Sequence, residues 1–239
     1  MKSSQQRAPR VCKKGLVAAL LFISSLPGVF AQDATLSHNA LGMFRMQLPA
    51  DQFYLLCNPF NPERAGEDRL GDVVKGDIPQ ATQVFIWDAI DQQYYAYAWL
   101  NSIQSWFPSN PPLERGTAFF IRASGPADIT LQGEVPGTTT GQPDIDLELG
   151  FNAHGYPFPF PTTLGDSGLD AATSPGDYIY LWDNTIGDWV FSARISAPQG
   201  SPQWTNPTLQ LGVGASWFLM NRSTATTWQP TVPYAWPNN

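Results

Sequence analysis

Ser167, in the string Gly165-Asp-Ser-Gly168, has the surroundings best suited to nucleophilic chemistry. A serine nucleophile needs a histidine base, itself oriented by a third group. The chain holds two histidines, His38 and His154, and neither follows Ser167. A turn between strands is the competing reading, and the string falls in a segment that differs between the two halves of the chain. Metal chemistry is as poorly supplied. Two histidines and the one cysteine beyond the leader, Cys57, cannot assemble a structural zinc cluster. Asp144-Ile-Asp146-Leu-Glu148 sets three carboxylates on one face of a strand, a row that can hold calcium. It lacks the glycine and ligand spacing of a calcium loop, and an edge strand guarded by charge fits it better. No catalytic residue, metal or cofactor is assigned.

Flat aromatic faces are the more abundant resource. The nine tryptophans invite stacking on sugar rings. Trp87 and Trp182, Trp106 and Trp204, and Phe119 and Trp217 recur at matched places in the two halves, as core residues of a duplicated fold would. Recurrence also suits one sugar site per copy, so both readings stand. Tyr95, Tyr97, Trp99, Phe107 and Trp236 have no such partners and are the candidates for an exposed binding platform. Cys57 reads as a thiol buried in a strand, and Asn221-Arg-Ser223 as an unused glycosylation signal.

The elements that must position these residues follow a leader. Lys2, Arg7, Arg10, Lys13 and Lys14 precede an apolar run, Gly15–Ser24, and Val29-Phe-Ala31 has small residues where a signal peptidase cuts. The expectation is a secreted or periplasmic chain cleaved after Ala31. The apolar run falls short of the roughly 20 residues a membrane span needs. Beyond Ala31 the chain has 8 basic against 20 acidic residues, a net of −12. Such a charge repels phosphate backbones and anionic lipids, which argues against nucleic-acid and membrane partners. With 22 prolines and 20 glycines, long helices are excluded. Between them lie short runs rich in β-branched and aromatic residues, the composition of strands.

Those runs repeat. Phe53-Tyr-Leu-Leu-Cys-Asn-Pro-Phe60 aligns with Phe151–Phe158, and Val84-Phe-Ile-Trp-Asp88 with Ile179-Tyr-Leu-Trp-Asp183. Leu113–Ile121 aligns with Leu211–Leu219, which pairs Gly116 with Gly214, and Val135-Pro136 with Val232-Pro233. Each copy predicts an opening strand, an apolar strand closed by Trp-Asp, a returning aromatic strand, and a strand that starts at the paired glycine. The aspartate should bond back to the amides of the hairpin turn. The fold class expected is all-β, with two tandem antiparallel units, sandwich-like and packed against each other. The first repeat spans 42–136, a linker 137–150, the second repeat 151–233 and a tail 234–239.

The blocks Leu48-Pro-Ala-Asp-Gln-Phe–Phe60, Val84–Asp88, Leu113–Ile121 and Gly133-Glu-Val-Pro136 resemble a tandem repeat of uncharacterised secreted proteins from environmental bacteria. Its pattern runs LPAGxxLIxNPF, VYxWD and LxPGEGFFV. The second copy departs from it at Gly155-Tyr-Pro157. The resemblance implies the architecture and no activity. Gly165–Gly168 separately resembles the nucleophile string of trypsin-like proteases and, loosely, of GDSL esterases, without the histidine context of either. The reading is therefore a secreted non-enzymatic binding or structural module engaged in protein–protein or cell-surface interaction, its partner an unknown protein or glycan. Its alternative is a carbohydrate-binding module using exposed aromatics, and an orphan hydrolase comes last.

Overall fold

Strands with apolar residues on both faces must be covered on both faces, and that requirement organises this molecule. The computed structural model describes residues 40–137, 142–197 and 200–235. The first copy contains β1 (Leu41–Leu48), β2 (Phe53–Cys57), α1 (Leu70–Val73), β3 (Val74–Gly76) and β4 (Gln83–Asp88). It continues with β5 (Gln93–Leu100), β6 (Ser105–Phe107), β7 (Ala118–Arg122) and β8 (Ala127–Glu134). The second contains β9 (Ile145–Leu147), β10 (Gly150–Gly155), β11 (Thr162–Thr163), α2 (Leu169–Ala172) and β12 (Tyr178–Asp183). After these come β13 (Asp188–Ile195), β14 (Gln203–Trp204), β15 (Gln210–Leu211), β16 (Ser216–Asn221) and β17 (Thr226–Trp228).

Each copy is built on a five-stranded antiparallel sheet, ordered β2-β7-β4-β5-β6 in the first and β10-β16-β12-β13-β14 in the second. The registers coincide. Leu55 lies opposite Phe120 and Val84 opposite Ile121. Ala153 lies opposite Phe218 and Ile179 opposite Leu219, each the counterpart in the aligned sequence. Both Trp-Asp hairpins close as their sequence predicts: Asp88 Oδ1 accepts from the amides of Ile90 and Asp91, both at 2.8 Å. Asp183 Oδ1 accepts from Thr185 at 2.8 Å.

One face of each sheet covers that copy's own core. In the first copy Leu56, Val84, Phe119, Ile121 and Trp106 pack with Leu48, Ile129 and Leu131 of the β1-β8-β3 sheet and with Leu70 and Val73 of α1. In the second, Ile179, Leu181, Trp217, Leu219 and Trp204 pack with Leu147 of β9, Trp228 of β17 and Leu169 of α2. Residues 145–150, read from sequence as linker, therefore belong to the second copy. Ile145 and Leu147 alternate with acids over too short a run to show a strand period, yet both are buried. Tyr234, assigned to the tail, packs edge-on against Phe158 with ring centroids 5.9 Å apart.

The other face of each sheet turns toward the other copy. Leu55, Ala118, Ala153 and Phe218 are buried there, flanked by Trp87, Phe120, Tyr180 and Trp182. The backbone contacts between copies are reciprocal. Cys57 N–H donates to Gly214 O at 3.0 Å, and Gly155 N–H to Gly116 O at 2.9 Å. Leu56 bridges to Ala215, and its counterpart His154 bridges to Thr117. Each contact maps onto the other when the copies are exchanged, which defines a local two-fold axis within one compact unit. The matched glycines Gly116 and Gly214 sit at φ of 84° and 72°, a left-handed conformation that suits glycine. Their carbonyls are the two acceptors across the axis.

Candidate functional site

The axis runs between Cys57 and Gly155, two equivalent positions that share one space. A Cβ on Gly155 would lie 2.2 Å from Cys57 Sγ and 2.8 Å from Ala215 O, so only one of the pair can carry a side chain. Cys57 fills that space with its thiol, whose pKa burial pushes up to about 12. A thiol held so far from ionisation is a poor nucleophile.

Two open troughs are lined by aromatic rings from both copies. One, of about 440 Å³, is lined by Trp87 and Tyr94 of the first copy and Phe151, Tyr180, Trp189 and Phe218 of the second. The other, of about 400 Å³, is lined by Phe53, Phe85, Tyr94 and Phe120 of the first and Trp182 and Trp189 of the second. Exchanging the copies converts one set into the other, residue for residue. Both volumes fall within the range of small-molecule sites.

The ring geometry repeats with the same symmetry. Trp87 meets Phe218 at 5.6 Å between centroids, and Trp182 meets Phe120 at 5.7 Å. Trp87 meets Tyr94 at 4.8 Å, and Trp182 meets Trp189 at 4.9 Å. Phe53–Phe120 and Phe151–Phe218 both stand at 6.1 Å. These contacts are edge-to-face, the arrangement that aromatic quadrupoles favour. They lock the rings in place while leaving flat surface open: Tyr94 is 44% exposed and Trp189 37%. The two residues belong to both troughs and form the ridge between them. Partial burial pushes the Tyr94 hydroxyl up to about 12, so it stays a neutral donor at any physiological pH. Among the described residues the side chains that line the troughs are uncharged, and the Arg122 guanidinium lies over the Phe53 ring of the second trough, 5.7 Å from its centroid.

Side-chain amides from the hairpin tips fix the walls. Gln92 donates through Nε2 to Phe151 O at 2.9 Å and accepts through Oε1 from Phe151 N–H at 2.9 Å. In the other direction Asn184 Oδ1 accepts from Leu55 N–H at 3.0 Å, and its Nδ2 donates to Leu55 O at 3.2 Å. Each hairpin thus covers the free edge of the other copy's sheet, β10 or β2, with a side chain acting as a strand. Trp87 Nε1 also donates to Phe151 O, at 2.8 Å.

Alternation along β5 decides where the sequence candidates fall. Tyr95, Tyr97 and Trp99 share one face, and Tyr97 and Trp99 pack on the first core, away from the troughs. Tyr95 is exposed and donates to Asp91 Oδ2 at 2.7 Å. Phe107 is exposed at the far end of the sheet, on β6. Trp236 lies outside the described residues. These residues make no common platform. Of the six assigned to the core, Trp106, Trp204, Phe119 and Trp217 are buried. Trp87 and Trp182 are half-buried: they pack against the cluster of Leu55, Ala118, Ala153 and Phe218 and also wall the troughs. Residue-by-residue reading passed over Tyr94 and Trp189. Their matched place directly after the Trp-Asp turn, on the Trp87 and Trp182 face, is the signal that marks them.

Ser167 is buried at the start of α2. Its Oγ donates to Leu164 O at 2.7 Å and accepts from Leu169 N–H at 3.3 Å, as a turn residue does. Asp144 accepts from Gln229 and Asp146 from Thr227 across β9 and β17. Among the described residues no group of three or more His, Cys, Asp or Glu comes together to hold a metal. Nor is any helix among them long and apolar enough to cross a membrane. The fold and surface define an all-β protein of duplicated sheet units that carries exposed aromatic clusters. No family model, curated protein or solved structure matches the chain.

Proposed function

We propose that this chain is a non-catalytic carbohydrate-binding protein, exported as its leader suggests, whose aromatic troughs stack against sugar rings. The observation that carries the reading is the pair of open troughs whose lining, among the described residues, is flat aromatic rings. A pyranose offers an apolar face of C–H groups that suits the electron-rich face of an aromatic ring. An uncharged wall in an acidic molecule favours a neutral glycan over a uronate or sulfate polymer. The rings are held before any ligand arrives, so binding need not order them, which favours affinity.

Titration of residues 32–239 with neutral polysaccharides, followed by tryptophan fluorescence, tests the reading. Binding to at least one glycan is expected, and Trp189→Ala should weaken it at least about tenfold, the loss of one buried stacking contact. The ligand should be recovered at its original chain length. Silence across neutral glycans, with the fold intact, refutes carbohydrate recognition.

A further inference from the structure

We infer that the molecule is divalent, and that its two troughs bind two separate segments of neutral polysaccharide running in opposite directions. The inference rests on the carbohydrate reading of the troughs and adds stoichiometry and polarity to it. The local two-fold is shown by reciprocal hydrogen bonds at Cys57–Gly214 and Gly155–Gly116. Two troughs exchanged by that axis present their walls in reversed order. A polysaccharide has a reducing and a non-reducing end, so the direction of a segment lying at right angles to the axis reverses under the same operation. A single straight chain that fits one trough therefore meets the other backwards. The arrangement selects two antiparallel segments, from two polymer molecules or from one that folds back. Bound this way, the protein is a cross-link rather than a cap.

The troughs also show why duplication was needed to build the site. Each draws residues from both copies, and the ridge takes Tyr94 from one and Trp189 from the other. Tyr180 lines only the first trough and Phe85, its counterpart on β4, only the second. The two sites can therefore be disabled one at a time.

The test is isothermal titration of residues 32–239 with cellohexaose, chitohexaose and laminarihexaose, carried forward with the tightest binder. Two hexaoses per protein are expected. Tyr180→Leu and Phe85→Leu keep apolar bulk and remove the flat face, and each should reduce the count to one. The surviving site should keep its affinity within about twofold, because the altered residues are not shared. The double variant should bind nothing. Thermal melts of all variants check folding, and Tyr180→Phe with Phe85→Tyr, which keep the rings, should still bind two. One hexaose per wild-type protein, or loss of all binding in either single variant, overturns divalency and leaves carbohydrate recognition standing. No binding of any hexaose overturns both.

Discussion

At the scale of the residue, duplication exposes the side chains that one copy uses differently from the other. His154 occupies the strand position held by Leu56 in the first copy, on the face that covers the core. Burial lowers its pKa to about 4, against a smaller opposing effect of a hydrogen bond to the Asp146 main chain. Its Nε2 has no hydrogen-bond partner among the described residues. The sign of the linkage follows. The unfolded imidazole takes up a proton near pH 6.5 and the folded one only near 4, so the unfolded state binds more protons between these values. Stability is intact above pH 6.5 and falls as the pH drops toward 4. The loss reaches at most about 3 kcal/mol, since the residue as a whole is half-buried rather than fully enclosed. Carboxylates add their own acid sensitivity, so the informative quantity is a difference. Urea midpoints measured from pH 4 to 8 should converge toward a flatter profile in His154→Leu than in the parent. Parallel profiles would show that folding leaves the His154 pKa at its unfolded value.

At the scale of the element, the strands were legible and the destination of their second face was not. The runs Val84–Asp88 and Ile179–Asp183, with their glycine-led partners, specify pairing and register closely enough that the aligned sequence and the sheet ladders agree. A strand apolar on both sides reveals that both sides are covered, but not by what. Trp87 and Trp182 thus read as core, when the cover over them is a second sheet that leaves them half open. Tyr95, Tyr97 and Trp99 lack aromatic counterparts, whereas the trough residues are the repeated ones. The hairpin tips were equally silent, since their role lies in a contact with the other copy. Gln92 shows what that contact is worth. It sits at φ 52°, where its counterpart is Gly187 at 65°, so the turn demands a left-handed residue. Placing glutamine there costs about 1 kcal/mol or more, offset by its paired bonds to Phe151. Gln92→Ala keeps the strain and loses the bonds, and should destabilise by about 1–3 kcal/mol. Gln92→Gly loses the same bonds but relieves the strain, so it should be the milder change by about 1 kcal/mol. Chemical denaturation of the two variants gives the comparison. A glycine variant no better than the alanine one would mean that the left-handed turn imposes no strain.

At the scale of the whole molecule, the interface between copies behaves as a dimer interface covalently closed. Its axis makes a demand that a true homodimer could not meet as well. Cys57 in one copy faces Gly155 in the other, and a Cβ at the glycine would stand 2.3 Å from the Cys57 Cβ. Two first copies meeting in this way would set cysteine against cysteine and could not close without a shift of backbone. Two second copies would set glycine against glycine and leave the space empty. Overpacking of this kind costs about 1–3 kcal/mol, and a void of side-chain size destabilises as well. The mixed pair alone fits. The reciprocal amide grips reinforce the preference, because Gln92 and Asn184 come from different copies and hold different strands. Expressed as two chains, residues 32–137 and 142–239 should therefore assemble as a one-to-one complex in preference to either homodimer. Light scattering coupled to size-exclusion chromatography reads the mass of each species. Cys57→Gly in the first chain removes the clash, so it should raise the fraction of first-copy homodimer when that chain is expressed alone. If the parent first copy pairs with itself as readily as with the second, steric complementarity at the axis does not set the partnership.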